Sequence, residues 1–161
     1  MPNKNIFEIV PIKKLIAEEL GEDTFWIDPF ANCNNVADVT NDLNPAYDTD
    51  YHMDALDFLK MFGSKSVDGV LYDPPPYSPR QVSECYKNFG IEVTQETTRA
   101  SFWGNHKKEI ARIVKPSGKV ITFGWNSGGI GAKYGFSIRR ILLVAHSGWH
   151  NDTICTVEVK V

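Results

Sequence analysis

The residues with the most legible chemistry lie in one stretch, Asp68-Gly69-Val70-Leu71-Tyr72-Asp73-Pro74-Pro75-Pro76-Tyr77-Ser78-Pro79-Arg80. A short apolar run of strand character stops at an acid, three prolines and an aromatic ring. Proline has no N–H, fixes φ and pushes the residue before it into extended backbone. Asp73 and Tyr77 are therefore expected to be held rigidly just past the carboxyl end of a strand, where open α/β sheets place their ligands. Such a loop offers a carboxylate, free carbonyls and a flat ring, with few competing donors. That set suits a planar base with an exocyclic amino group. Pro74-Pro75-Pro76-Tyr77 also has the form of a polyproline II ligand of the Pro-Pro-x-Tyr kind. Such ligands usually sit in low-complexity segments, whereas this one lies between a buried-looking strand and a helix.

The elements that must position this loop follow from periodicity and punctuation. Ile12 to Leu20 carries apolar residues at helical spacing between a proline and Gly21, and reads as a helix. Thr24 to Ile27 and Asp38 to Thr40 read as short strands, Asp54 to Phe62 as a helix closed by Gly63, and Val67 to Tyr72 as the strand feeding the prolines. A helix is expected from Pro79 to about Phe89 with Ser78 as its cap, and another from Thr98 to Val114. Lys115 to Gly118 reads as a turn, Lys119 to Phe123 as a buried strand, and Ser137 to Ala145 and Thr153 to Val161 as two further strands. The last alternates at period two, as an edge or half-buried strand does. Strands alternating with helices and closing in a hairpin imply an α/β fold. The chain of 161 residues reads as a single domain, 1–161, with no repeat and no linker.

Asp73 to Tyr77 resembles the Asp-Pro-Pro-Tyr signature of S-adenosylmethionine-dependent amino-methyltransferases, which act on adenine N6 or cytosine N4. The resemblance spans residues 24 to 161. It implies a three-layer sandwich with a Rossmann-like, mostly parallel sheet and an antiparallel C-terminal hairpin. It also implies that Asp73 and the Pro74 carbonyl hold the target amine, with Pro75 in the same catalytic loop, while Tyr77 stacks on a flipped base. The chemistry needs such acceptors, because an aromatic amine has its lone pair delocalised into the ring. Ser78-Pro79-Arg80-Gln81, Gly124 to Gly129 and His150 to Thr153 resemble short adenine-specific methylases of bacteriophages and prophages. Two features depart from the family pattern. Pro76 is one proline more than the signature has, so Tyr77 stacks only if the loop bulges. The segment after the first strand lacks the family's glycines, and Asn32 and Asn34, which tolerate left-handed backbone, stand in their place.

On this resemblance three acidic stations hold S-adenosylmethionine: Asp28-Pro29-Phe30 after the first strand, Asp42 after the second, and Asp54-Ala55 at the helix that follows. Asp42 is the expected partner of the ribose hydroxyls, and Asp54 of the adenine amine, while also capping its helix. Beyond the prolines, Arg80, Lys107 and Lys108 are the expected phosphate contacts and Trp125 the expected pocket ring, with His106 in the same basic stretch. Trp103 and Phe102 read as core. Gly128, Gly129 and Gly131 read as a mobile loop able to close over substrate. The implied activity is methyl transfer to adenine N6 in DNA. RNA adenine, a protein amide, or a catalytically degenerate fold that only binds are the alternatives.

Charge supports two functional halves. Residues 1 to 79 hold 5 Lys/Arg and 14 Asp/Glu, and residues 80 to 161 hold 12 Lys/Arg and 6 Asp/Glu. An acidic half suits a cationic, hydroxyl-rich cofactor and a basic half suits phosphates; alternatively, the signs mix when the chain folds. No apolar run is long enough for a membrane span. Cys33, Cys85 and Cys155 are odd in number and widely spaced, as reduced thiols of a cytoplasmic protein are. His146 and His150 do not read as a metal site, and no metal is expected. A monomer or homodimer with DNA as partner and no separate target-recognition domain completes the expectation.

Overall fold

The computed structural model describes residues 5–75, 86–90, 92, 100–146, 148 and 151–161. Six strands form one sheet: β1 (Trp26–Asp28), β2 (Val39–Thr40), β3 (Val67–Tyr72), β4 (Val114–Gly124), β5 (Phe136–Val144) and β6 (Thr153–Lys160), in the order β2-β1-β3-β4-β6-β5. Strands β1 to β4 pair in parallel, and β6 runs antiparallel to both of its neighbours. Helix α1 (Val10–Glu19) covers one face. Helices α2 (Ala55–Lys60) and α3 (Ala100–Ile113) cover the other. These are the three layers the sequence implies, including the hairpin. No helix among the described residues is long and apolar enough to cross a membrane.

Local sequence explains the elements. In α1, Pro11 sits in the first turn and Ile12, Leu15 and Ile16 are buried at the spacing of one helix face. They pack with Leu71, Ile121 and Phe123 from the sheet. In α2, Asp54 caps the helix by accepting from the amides of Leu56 and Asp57, and Phe58 and Leu59 enter the opposite core with Val70, Ile110 and Val120. Gly69 of β3 is the register partner of Trp26 on β1, and any Cβ there would collide with the indole.

Three expectations are corrected. Lys115 to Gly118 is no interruption between helix and strand but lies within β4. Pairing passes from Val67↔Val114 to Gly69↔Lys119, so the extra residues bulge, with Ser117 at φ 63°. Strand β6 is no edge, since hydrogen bonding to β4 and β5 places it inside the sheet, where Cys155, Thr156, Val157 and Glu158 are buried. The edge is β5. The glycine segment after β4 is pinned: buried Glu158 accepts from the amides of Ile130 (2.6 Å) and Gly131 (2.9 Å), and Lys107 Nζ donates to the Gly129 carbonyl.

Candidate functional site

At the carboxyl ends of β1, β2 and β3 the chain leaves a cavity of about 270 Å³. Its walls come from three strand ends, the start of α2 and one helical turn. The loop after β1 contributes Pro29, Phe30 and Asn32. The segment after β2 contributes Asn41, Asp42 and Tyr47. The start of α2 contributes Met53, Asp54 and Ala55, the proline loop Asp73 and Pro75, and the helical turn over 86–88 with its following residue Tyr86 and Phe89. Three acids thus face one space, and among the described residues no Lys, Arg or His lines it. A groove of about 340 Å³ between α1 and the loop after β1 is larger, but of the residues named in the sequence for the cofactor it gathers only Asn34, which, unlike Asn32, is not left-handed.

The cavity is braced by short-range and long-range hydrogen bonds. Asp42 accepts the Asn32 amide on Oδ2 and the Asn44 amide on Oδ1, both at 2.9 Å. Asn32 itself has φ 54°, the left-handed conformation that the missing glycines would otherwise supply. Buried Asn41 ties three segments together. Its Nδ2 donates to the carbonyls of Pro29 (3.1 Å) and Met53 (3.0 Å), and its Oδ1 accepts the Met53 amide (3.0 Å). Asp54 uses Oδ1 for both cap bonds, leaving Oδ2 for a ligand.

Burial dominates the electrostatics. Asp28 is 1 % exposed, with Oδ1 accepting the Phe30 amide. Burial raises its carboxyl well above the ordinary value, and the nearby charges of Asp73 and Asp42 add to this. Asp54 is raised by the same cause, and burial pushes Asp73 up to about 7. At Asp54 the charge of Lys60 opposes this rise, and at Asp73 burial is the cause.

Most of the expected cofactor residues come together here: Pro29, Phe30, Asp42, Asp54 and Ala55 line the cavity with Asp73 and Pro75, whereas Asp28 is outside the lining and bonds the Phe30 amide. Pro74 faces the other way. It lines a crevice of about 10 Å³ with Tyr72, Thr122, Gly124, Asn126 and Gly129. Alternation of sides over residues 73, 74 and 75 is what extended proline backbone gives. Tyr77 and Arg80 lie outside the described residues. Trp125 is 43 % exposed at the end of β4, next in sequence to the crevice residues Gly124 and Asn126.

Among the described residues, part of the basic half is engaged within the fold, while Lys87, Lys133 and Arg139 are exposed. Lys107 is bound to Gly129, and burial lowers its pKa. Lys115 pairs with Asp68, Lys119 with Glu19 and Arg140 with Glu18, each across the two halves of the chain. Signs do mix on folding. Lys108 remains exposed. His106 belongs to the core: it is fully buried, held near neutral with its pKa lowered to about 4, and stacked on Phe30 with Trp103 edge-on. Trp103 is core, as expected.

Sequence reasoning missed Asn41, Tyr47, Met53 and Phe89. Asn41 gives no local signal because its partners are 12 residues away in both directions.

No family model matches the chain, and no curated protein matches it in sequence. Solved structures do match in fold. TrmN from Thermus thermophilus is 14% identical with TM-score 0.58 over 93% of this chain, which spans 48% of TrmN. The 1,6-didemethyltoxoflavin-N1-methyltransferase of Burkholderia thailandensis, solved with 1,6-didemethyltoxoflavin and S-adenosylhomocysteine, is 12% identical with TM-score 0.63, over 94% of this chain and 77% of that one. The N-methyltransferase NodS from Bradyrhizobium japonicum is 9% identical with TM-score 0.62, over 98% of both chains. The mixed six-stranded sheet with its antiparallel end thus has the Rossmann-like α/β fold of these structures.

Proposed function

We propose that the protein transfers a methyl group from S-adenosylmethionine to an amino nitrogen, with adenine N6 in nucleic acid as the acceptor. One observation carries the reading. Three strand ends and the start of α2 bring Asp42, Asp54 and Asp73 to a single cavity with no Lys, Arg or His in its described lining. A ligand for that space must be cationic or rich in hydroxyl and amino donors, which S-adenosylmethionine is on both counts.

The residues fit it. A carboxylate has about four acceptor sites, so Asp42 retains capacity for two ribose hydroxyls after binding the amides of Asn32 and Asn44. Asp54 Oδ2 is available for the adenine amino group, and the small Ala55 beside it leaves room for a ring. The bound cofactor supplies an activated methyl on a sulfonium. Asp73 lines the cavity and the next residue, Pro74, lines the crevice. In this arrangement Asp73, once ionised, accepts a hydrogen bond from the target amine, and the Pro74 carbonyl accepts the other. The amine nitrogen is thereby drawn toward tetrahedral geometry. The crevice has room for about one water.

The test is transfer of isotope-labelled methyl from S-adenosylmethionine to unmethylated duplex DNA, single-stranded DNA and RNA, followed by nucleoside analysis. The expected product is N6-methyladenosine or its deoxy form. Asp73→Ala should lower turnover roughly 10²-fold or more with cofactor affinity little changed. Cofactor binding without transfer to any adenine would select the degenerate, non-catalytic reading. Transfer by Asp73→Ala at the parent rate would remove the proline loop from the mechanism.

A further inference from the structure

The lining of the cavity contains more than acids. Phe30, Tyr47, Tyr86 and Phe89 bring four aromatic rings from three separate segments of the chain to the same space as Asp42, Asp54 and Asp73. Tyr86 is 7 % exposed and packs in the core with Ile27 and Phe58. Phe89 is half-buried, and its amide donates to the Tyr86 carbonyl at 3.1 Å, so the two rings are carried by one turn. Hydrogen bonds from Asp42 and Asp54 suffice to read hydroxyls and an amine. They do not account for a wall of aromatic rings supplied by a segment that follows the proline loop.

Aromatic faces carry negative electrostatic potential and attract a desolvated cation. Carboxylates attract it as well, and burial keeps both in a medium of low polarity where the attraction is strong. A neutral thioether of nearly the same shape receives none of this charge-dependent part. S-adenosylmethionine and S-adenosylhomocysteine differ by one methyl and one positive charge at sulfur.

On the cofactor reading given above, we propose that Tyr86 and Phe89 form an aromatic wall that makes this cavity selective for the charged methylsulfonium over the neutral thioether product. The wall then does two things. It favours loading of the methyl donor, and it weakens retention of the demethylated product in competition with fresh donor. The acids add to the same preference, but the rings do so without needing to ionise, so their share persists at pH values where Asp73 is protonated.

Calorimetric titration of the parent protein, Tyr86→Leu and Phe89→Leu tests this with three ligands. These are S-adenosylmethionine, S-adenosylhomocysteine, and an isosteric analogue with an ammonium group in place of the methylsulfonium. Leucine keeps an apolar side chain and removes the ring face. Affinity for the two cations should fall about five- to tenfold, in line with a buried cation–π contact, while the thioether changes less than twofold. Equal weakening of all three ligands would show that the rings only pack, and would sink this inference while leaving the cofactor assignment intact. If the parent binds none of the three, the cofactor reading itself falls and this inference with it. Tyr86 is a core residue, so Phe89→Leu, at a half-buried position, decides the matter if Tyr86→Leu does not fold.

Discussion

Replacing Asp73 by Asn should change the stability of the ligand-free protein in a pH-dependent way whose sign is fixed by burial. The carboxyl has an ordinary value of 3.8 and is raised to about 7 in the folded chain. The folded state therefore binds the proton more tightly than the unfolded state does. Below pH ~4 both states are protonated and Asp73 carries no penalty. As pH rises from about 4 to 7 the unfolded state ionises first, so the parent protein loses stability, and the loss levels off above 7. A shift of about three units corresponds to at most roughly 4 kcal/mol, and water entering the open cavity reduces this to about half. Asn cannot ionise and occupies the same volume. Asp28 reinforces the effect, since the Asp73 charge helps raise its carboxyl and that push is gone in the variant. Urea denaturation at pH 4.5, 6, 7 and 8, with unchanged slope against denaturant, should show Asp73→Asn gaining on the parent by roughly 2 kcal/mol across the series. A difference that stays flat with pH, or shrinks as pH rises, would refute a desolvated carboxyl at this position.

Two further outcomes follow from the bracing of the site. Asn41→Ala removes three hydrogen bonds that join the segments after β1 and β2 to the start of α2. It should cost roughly 1–3 kcal/mol in urea denaturation and weaken cofactor binding without altering the charge of the cavity. Glu158→Gln should cost roughly 2–4 kcal/mol, because the buried carboxylate accepts two amides of the glycine segment beside Lys107. An unchanged denaturation midpoint for this variant would contradict the pinned geometry.

The parts of the fold legible in the sequence are those whose cause is local. Asp54 and Gly63 punctuate α2, Val67 to Tyr72 is a buried run stopped by prolines, and Asn32 in left-handed backbone follows from the absence of glycine there. The acidic stations were legible because a strand end followed by an acid is a local pattern, and the sheet order then brings those ends together. What the sequence hid depends on distant partners. The bulge in β4 is visible only from its pairing with β3. The interior position of β6 depends on which strands flank it. Lys107 looks like a surface cation beside Lys108, yet one helical step turns it inward to Gly129. Tyr86 stands beside Lys87 in sequence, but the turn that carries it lines the acid-rich cavity.

The central claim is that the acid-lined cavity at the ends of β1, β2 and β3 holds S-adenosylmethionine. Mapping backbone amide shifts by nuclear magnetic resonance during titration with S-adenosylmethionine tests it most directly. The account predicts saturable changes concentrated at the amides of Phe30, Asn32, Asn44 and Leu56, each bonded to a carboxylate of the site. Absence of any shift at millimolar cofactor, or shifts confined to the groove at Ile16, Leu20 and Cys33, would contradict it.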